Sequence, residues 1–328
     1  MSAATPLRVA GLVLSRVFVA LLCAAGSAIA QDYPNHPIRM IVPYPPAGGT
    51  DIVARVVNEP LTTLLGQAIV VDNKGGAAGN LGTELAARAT PDGYTVLFTL
   101  SSHTINPKLY PKLPFDVDKD FAPVSLAAYI PQLVAVHPDL PVKNIQELIA
   151  YAKARPGKLN YGSVGVGSPS HIAGELFKLK TGVDIVHVPF KGGGPAVTAA
   201  LGGQIEILIV SMPAAYQHVK AGKLRPIAVA SDKRSIAAPE IPTIVEQGVD
   251  CVVNSWYGML VPAKTPPAVV AKLGDAMKKA LEMPATKEKL LAQGAEAAYT
   301  TPAEFDALMK EELKKWEYVI REAKITPE

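Results

Sequence analysis

The sequence predicts an α/β protein of two units, with the chain crossing between them twice. Three observations carry this. Strand-like and helix-like segments alternate almost without interruption from Ile38 to Ala230, which calls for parallel strands joined by right-handed crossovers. The alternation pauses at the extended stretch Val124–His137 and then restarts. A second extended stretch, Val252–Val261, is followed by three helical patterns and no new sheet. A chain that leaves one unit, builds another and returns has the layout of a hinge. The alternative is a single domain with a terminal helical appendage.

In the first unit, Ile38–Val42 reads as a buried strand. Asp51–Leu65 reads as a helix with Ile52, Val53, Val56, Val57, Leu61, Leu64 and Leu65 on one side, and Pro60 inside it is expected to kink or split it. Ala68–Val71 is the next strand, Asn80–Ala89 the next helix and Tyr94–Leu100 the third strand.

The second unit opens with the helix Asn144–Ala154, closed by Pro156-Gly157, then the strand Leu159–Ser163 and the helix Ser170–Lys180, ending at Gly182. Asp184–Pro189 is a strand, Pro195–Leu201 a helix closed by Gly202-Gly203, and Ile205–Val210 a strand. Ala214–Ala221 and Leu224–Ala230 add one more helix and strand. The terminal helices Pro266–Leu281, Thr286–Gln293 and Phe305–Glu322 most simply pack back on the first unit.

Residues 1–30 are set apart. Arg8 and Arg16 supply charge, Val17–Leu22 begins a short apolar core, and Ser27-Ala28-Ile29-Ala30 ends in an A-x-A pattern. That is the layout of a cleaved secretory signal, with the cut between Ala30 and Gln31. A retained anchor is the alternative, but the apolar stretch is short for a membrane span. Cys23 lacks the small residue before it that lipidation requires. Cleavage removes two arginines and no acid, so the formal charge falls from +3 by two, to about +1. That balance excludes a basic surface for nucleic acid or anionic lipid. The mature chain keeps only Cys251, so no internal disulfide supports it, and a bacterial periplasm is the expected compartment.

Catalytic and cofactor motifs fail on spacing. Tyr161-Gly162-Ser163-Val164-Gly165 resembles a nucleophile elbow, yet Tyr161 stands where that strained turn needs glycine. The six histidines are scattered singly, without metal-ligand spacing; His103 and His171 stand out only because each follows a strand end. Lys74-Gly75-Gly76-Ala77-Ala78-Gly79-Asn80 fits no dinucleotide fingerprint, and no phosphate-loop lysine occurs at the required spacing. No cofactor or metal is expected.

What remains is six small-residue loops at the carboxyl ends of strands. They are Pro45–Asp51, Gly75–Asn80, Ser101-Ser102-His103, Ser163–His171, Lys191–Pro195 and Ser211-Met212-Pro213. Open parallel sheets bind ligands at those ends, and helix N-termini present unpaired N–H groups with partial positive charge. Several such ends converging from two units favour an anion. With little fixed basic charge nearby, a small carboxylate fits better than a polyphosphate.

The motifs carry a resemblance. Tyr33-Pro34, Pro43-Tyr44-Pro45-Pro46-Ala47-Gly48-Gly49-Thr50-Asp51, Pro91-Asp92-Gly93-Tyr94-Thr95, Val188-Pro189-Phe190-Lys191-Gly192 and Trp256-Tyr257-Gly258 recur in order across the mature chain. So do Glu147–Lys153, Tyr161-Gly162-Ser163 with Gly167-Ser168, His171–Phe177, Leu201-Gly202-Gly203-Gln204 and Pro242-Thr243. In these the chain resembles the solute receptors of tripartite tricarboxylate transporters, the Bug (Bordetella uptake gene) family. The resemblance implies a two-domain periplasmic binding-protein fold, type II-like, of the Venus-flytrap kind with two hinge crossings. Domain 1 would be 31–131 with 255–328, and domain 2 would be 132–254. It further implies a monomer that passes a small organic carboxylate, an amino acid or an aromatic acid to a permease of two integral subunits.

Carried over by position, the implied site takes Ala47, Gly48, Gly49 and Asp51 from the first loop, Gly76 to Asn80 from the second, and Ser101 and Ser102 from the third. The second domain contributes Ser163, Gly167, Ser168, His171 and Lys191. Asp51 has a second reading, as a helix-stabilising charge. Two departures stand out: Pro60 in the first helix, and Ser211-Met212-Pro213 where the family often has an acid. If that acid meets the amine of amino-acid ligands, its absence argues against an amino acid here. A sensing partner of a membrane receptor and an exported α/β hydrolase are the other readings of the whole chain.

Overall fold

A computed structural model describes residues 33–327, so the expected signal sequence lies outside the described residues. The first unit runs β1 (Ile38–Val42), α1 (Gly49–Leu65), β2 (Ile69–Asn73), a 3-10 turn (Ala77–Gly79), α2 (Asn80–Ala87), β3 (Thr95–Leu100) and α3 (Ser102–Leu109). The long strand β4 (Phe121–Val136) leads to α4 (Ile145–Lys153), β5 (Asn160–Ser163), α5 (Pro169–Thr181) and β6 (Val186–Pro189). Then come α6 (Gly193–Leu201), β7 (Ile207–Ser211), α7 (Met212–Lys220) and β8 (Arg225–Val229). The return strand β9 (Asn254–Pro262) is followed by α8 (Pro267–Glu282), α9 (Pro284–Ala292), the short β10 (Glu296–Ala297) and α10 (Pro302–Glu322).

The strands follow the path β2-β1-β3-β9-β4-β7-β5-β6, with β8 and β10 each joined to β4. As the alternation predicts, β1 pairs parallel with β2 and β3, and β5 pairs parallel with β6 and β7. The two extended stretches are not linkers but paired strands: β9 runs antiparallel to both β3 and β4. Pro131↔Asn254 is the last rung between β4 and β9, and the next residue, Gln132, pairs with Ser211 of β7. Proline has no N–H to give a ladder, so β4 changes partners where its sequence allows a break.

Local signals set most helix ends. Gly66 and Gly182 close α1 and α5 in the left-handed region, and Ser168 caps α5 by accepting the His171 N–H, with Pro169 in the first turn. Thr301 and Glu304 form a capping box on α10.

Three expectations need correction. Pro60 does not split α1, which continues to Leu65. Val57 and Leu61 on either side of it are buried in the main apolar cluster, and that packing offsets the missing hydrogen bond. Ser102 and His103 are not loop residues but the start of α3. Its sequence has weak periodicity, and the burial of Ser102 through Asn106 on all sides supplies the order instead. Finally, the three C-terminal helices do not all stay with the first unit. At 21 residues α10 is about 32 Å long. Its far end places Trp316, Val319 and Ile320 in an apolar cluster with Ile172, Phe177 and Ile185 of the second unit.

The largest cluster runs along the other side of the sheet, from Val53 and Val57 of α1 to Ala196 and Val197 of α6 and Met212 of α7. The carboxyl ends of β1, β2, β5, β6 and β7 thereby meet at one cleft.

Candidate functional site

The N-termini of α1 and α6 face each other across that cleft. A β-carbon on Gly48 would stand 3.7 Å from the Gly193 nitrogen, and one on Gly192 would stand 2.9 Å from Pro45 Cδ. A β-carbon on Gly49 would lie 2.3 Å from Ser211 Oγ and 2.4 Å from the Tyr257 hydroxyl. At Gly49 the space a β-carbon would need is taken by the Ser211 and Tyr257 hydroxyls. The unpaired N–H groups of two helix starts, each with partial positive charge, are held together.

Two adjoining spaces occupy the cleft, sharing Tyr44 and Val164. The deeper one is about 20 Å³, the size of a water, and is lined by Gly48, Gly49, Thr50, Gln132, Ser211 and Tyr257 among others. The larger is about 560 Å³. Its walls include Pro45, Gly76, Tyr110, Val166, Phe190 and Lys191. Among the described residues Lys191 is the only charged side chain lining it, and no carboxylate does.

Of the residues expected at the site, Gly48, Gly49, Gly76, Ala77, Ala78, Gly79 and Lys191 reach these two spaces. The others hold the loops behind the wall. Asp51 accepts the Ala47 N–H, Arg55 Nε and Asn73 Nδ2, each at 3.0 Å. Burial pushes its carboxyl up, but these bonds outweigh it and hold it below the usual carboxylate range. The carboxylate therefore ties the Ala47 turn, at φ 61°, to β2. Asn80 accepts Asn106 Nδ2 at 2.7 Å, Ser101 meets Ser255 at 2.8 Å, and Ser102 bonds the Tyr44 hydroxyl.

The second-unit loop is braced from behind. Gly167 N–H donates to His171 Nδ1 at 3.2 Å, and Ser168 Oγ donates to the Gly165 carbonyl at 2.6 Å. The His171 and His187 rings stack with centroids 4.0 Å apart. Burial drives His171 down to about 4 and, with the neighbouring His171 charge, His187 down to about 3, so both are neutral at pH 7. Ser163 Oγ lies 2.6 Å from His187 Nε2, a serine–histidine contact in form. The serine is fully buried and also accepts the Gly165 N–H, so its hydroxyl is engaged within the protein. His103 packs edge-on to Phe121, away from the cleft, and burial brings it down to about 3.

Sequence reasoning missed Tyr44, Tyr110, Val166, Phe190 and Tyr257 as wall residues. Tyr44, Phe190 and Tyr257 sit inside the very motifs that carried the resemblance, the one signal available for them.

The family model for tripartite tricarboxylate transporter family receptors matches residues 53–325. The chain belongs to this receptor family. As a whole the receptor is similar to the protein BugT of Bordetella pertussis, 38% identical over 309 residues, covering 93% of this chain and 95% of that protein. Its structure is similar to a Rhodopseudomonas palustris protein solved with adipate, at 34% identity and a TM-score of 0.88, covering 90% of this receptor and all (100%) of that chain. MatC of the same organism, solved with malate, gives 32% and 0.83 over 88% of this receptor and 100% of MatC. The receptor thus has the two-domain α/β fold of periplasmic binding proteins. Among the described residues no helix is long and apolar enough to cross a membrane.

Proposed function

We propose that this receptor captures a small organic carboxylate in the cleft and delivers it to a membrane permease of two integral subunits. One observation carries the reading: two helix N-termini and Lys191 line a cleft that, among the described residues, no carboxylate side chain lines. Such a site attracts an anion, and its fixed charge suits a carboxylate better than a polyphosphate. The adipate and malate held by the two related proteins are both carboxylates, which supports the same chemistry.

The domains are 31–131 with 255–328, and 132–254, with the crossings on β4 and β9. A ligand touching both walls favours the closed form, because only there do both contribute. The mature monomer works in the periplasm after loss of residues 1–30, and it binds without catalysis. The loop residues behind the wall, Ala47, Asp51, Asn80, Ser101, Ser102, Ser163, Gly167, Ser168 and His171, act by holding the backbone in place.

The test is a thermal melt of the mature chain with mono-, di- and tricarboxylates. A true ligand at about a hundred times its dissociation constant adds about 2.7 kcal/mol of stability. If no carboxylate shifts the melt while a neutral sugar or a cation does, the anion reading is wrong.

A further inference from the structure

The Gly75–Gly79 turn lines the larger space, and a side chain that no motif singled out holds it there. We propose that this side chain, Asn106 of α3, is a positioning residue for ligand capture, an inference that rests on the carboxylate reading above.

The turn needs outside support. Ala77 and Ala78 both lie in the left-handed region, at φ 47° and 54°, where a β-carbon is strained. The Gly79 N–H closes back on the Gly76 carbonyl at 3.0 Å and the Asn80 N–H on Ala77, which leaves the Ala78 carbonyl to be met from elsewhere. Asn106 Nδ2 donates to it at 3.1 Å and to Asn80 Oδ1 at 2.7 Å. Tyr44 also reaches that carbonyl, at 3.3 Å, but its hydroxyl has one proton and also contacts Ser102. The Asn106 amide has two protons, one for each acceptor.

The other end of the side chain faces the second unit. Asn106 is buried, and its Oδ1 accepts no hydrogen bond among the described residues. A β-carbon on Gly167 would stand 2.6 Å from that oxygen. Gly165 and Val166 of the same loop line the larger space, as the turn does. Asn106 itself lies behind the wall, so it acts through the backbone it holds. Without it the two alanines are free to leave the left-handed region, and the peptide groups bordering the space turn with them.

The test reads the turn and the binding separately, on the mature chain. In amide hydrogen exchange followed by nuclear magnetic resonance without ligand, the Gly79 amide should exchange at least about tenfold faster in Asn106→Ala, with the β1 and β9 amides unchanged. Calorimetric titration with malate, adipate, hexanoate and benzoate should show the tightest of the four weakened by at least about tenfold. In an Ala77→Gly/Ala78→Gly background, where left-handed backbone costs little, the same change should weaken that ligand by no more than about threefold. Asn106→Asp keeps the shape but loses the donors, and it replaces the alanine variant if that one does not fold. Its loss should likewise shrink in the glycine background, since its charge acts equally in both. Unchanged Gly79 exchange, or exchange raised equally across the sheet, overturns the inference. So do an unchanged affinity and equal losses in the two backgrounds, and each of these leaves the carboxylate reading standing. If the unsubstituted chain binds none of the four and no other carboxylate shifts its melt, the carboxylate reading and the role of Asn106 in capture fall together.

Discussion

Individual residues at this site mostly do the opposite of what their chemistry suggests. Asp51 is an acid in an anion site, yet its carboxylate is consumed by Ala47, Arg55 and Asn73 and presents no free charge to the cleft. Ser163 and Ser168 have their hydroxyls turned into the loop they support. His171 holds Gly167 by accepting its N–H, which only a neutral ring can do. This makes the loop acid-labile in a defined direction. The folded ring titrates at about 4, below the ordinary 6.5. The unfolded chain therefore binds the proton first, and stability is fully present above pH 6.5 and lost as pH falls toward 4. Stacked His187, at about 3, adds in the same sense. The expected loss is at most about 3 kcal/mol for His171. Urea unfolding between pH 7 and pH 4 checks it: His171→Gln should flatten the pH profile, and an unchanged slope would mean that the ring is not the titrating group.

Among the elements, α1 matters most, since its N-terminus is one wall of the site and its body anchors the main cluster. It carries an internal proline that costs a hydrogen bond to Val56 and is tolerated because Val57 and Leu61 are buried. Pro60→Ala restores that bond and should stabilise the chain by about 1–3 kcal/mol, less whatever the proline saves by restricting the unfolded state. A rise in denaturation midpoint at unchanged slope is the signature. A fall would show that the ring packs better than the helix pairs. In α3 the order of inference runs the other way: its sequence shows little helical pattern, and its buried surroundings, with Thr104 donating to Glu312 of α10 at 2.7 Å, hold it in place.

For the whole molecule, the proposed function rests on how closely the two walls of the cleft meet. Gly49 has no room for a β-carbon, because Ser211 of the second domain and Tyr257 stand within 2.4 Å of where it would lie. Gly49→Ala is therefore expected to hinder closure. Its φ is unremarkable for alanine at a helix start, so the fold should survive. Carboxylate affinity should drop by at least about tenfold, with the circular dichroism spectrum and ligand-free cooperativity retained. Full ligand-induced stabilisation in this variant would show that the two walls need not meet as closely as drawn.

Alternation and glycine punctuation by themselves specified the α/β class, the parallel strands, the two crossings and the loops that meet at the cleft. Those properties are local or periodic, so the chain states them residue by residue. The motifs specified the receptor family for the same reason. Only the tertiary structure decided that the crossings are paired strands, that α3 exists and that α10 reaches the second domain. It alone decided which loop residues line the cleft and which lie behind its wall. These depend on distances between segments far apart in sequence, as Gly48 is from Gly193, and burial and hydrogen-bond partners across such gaps leave no trace in local pattern.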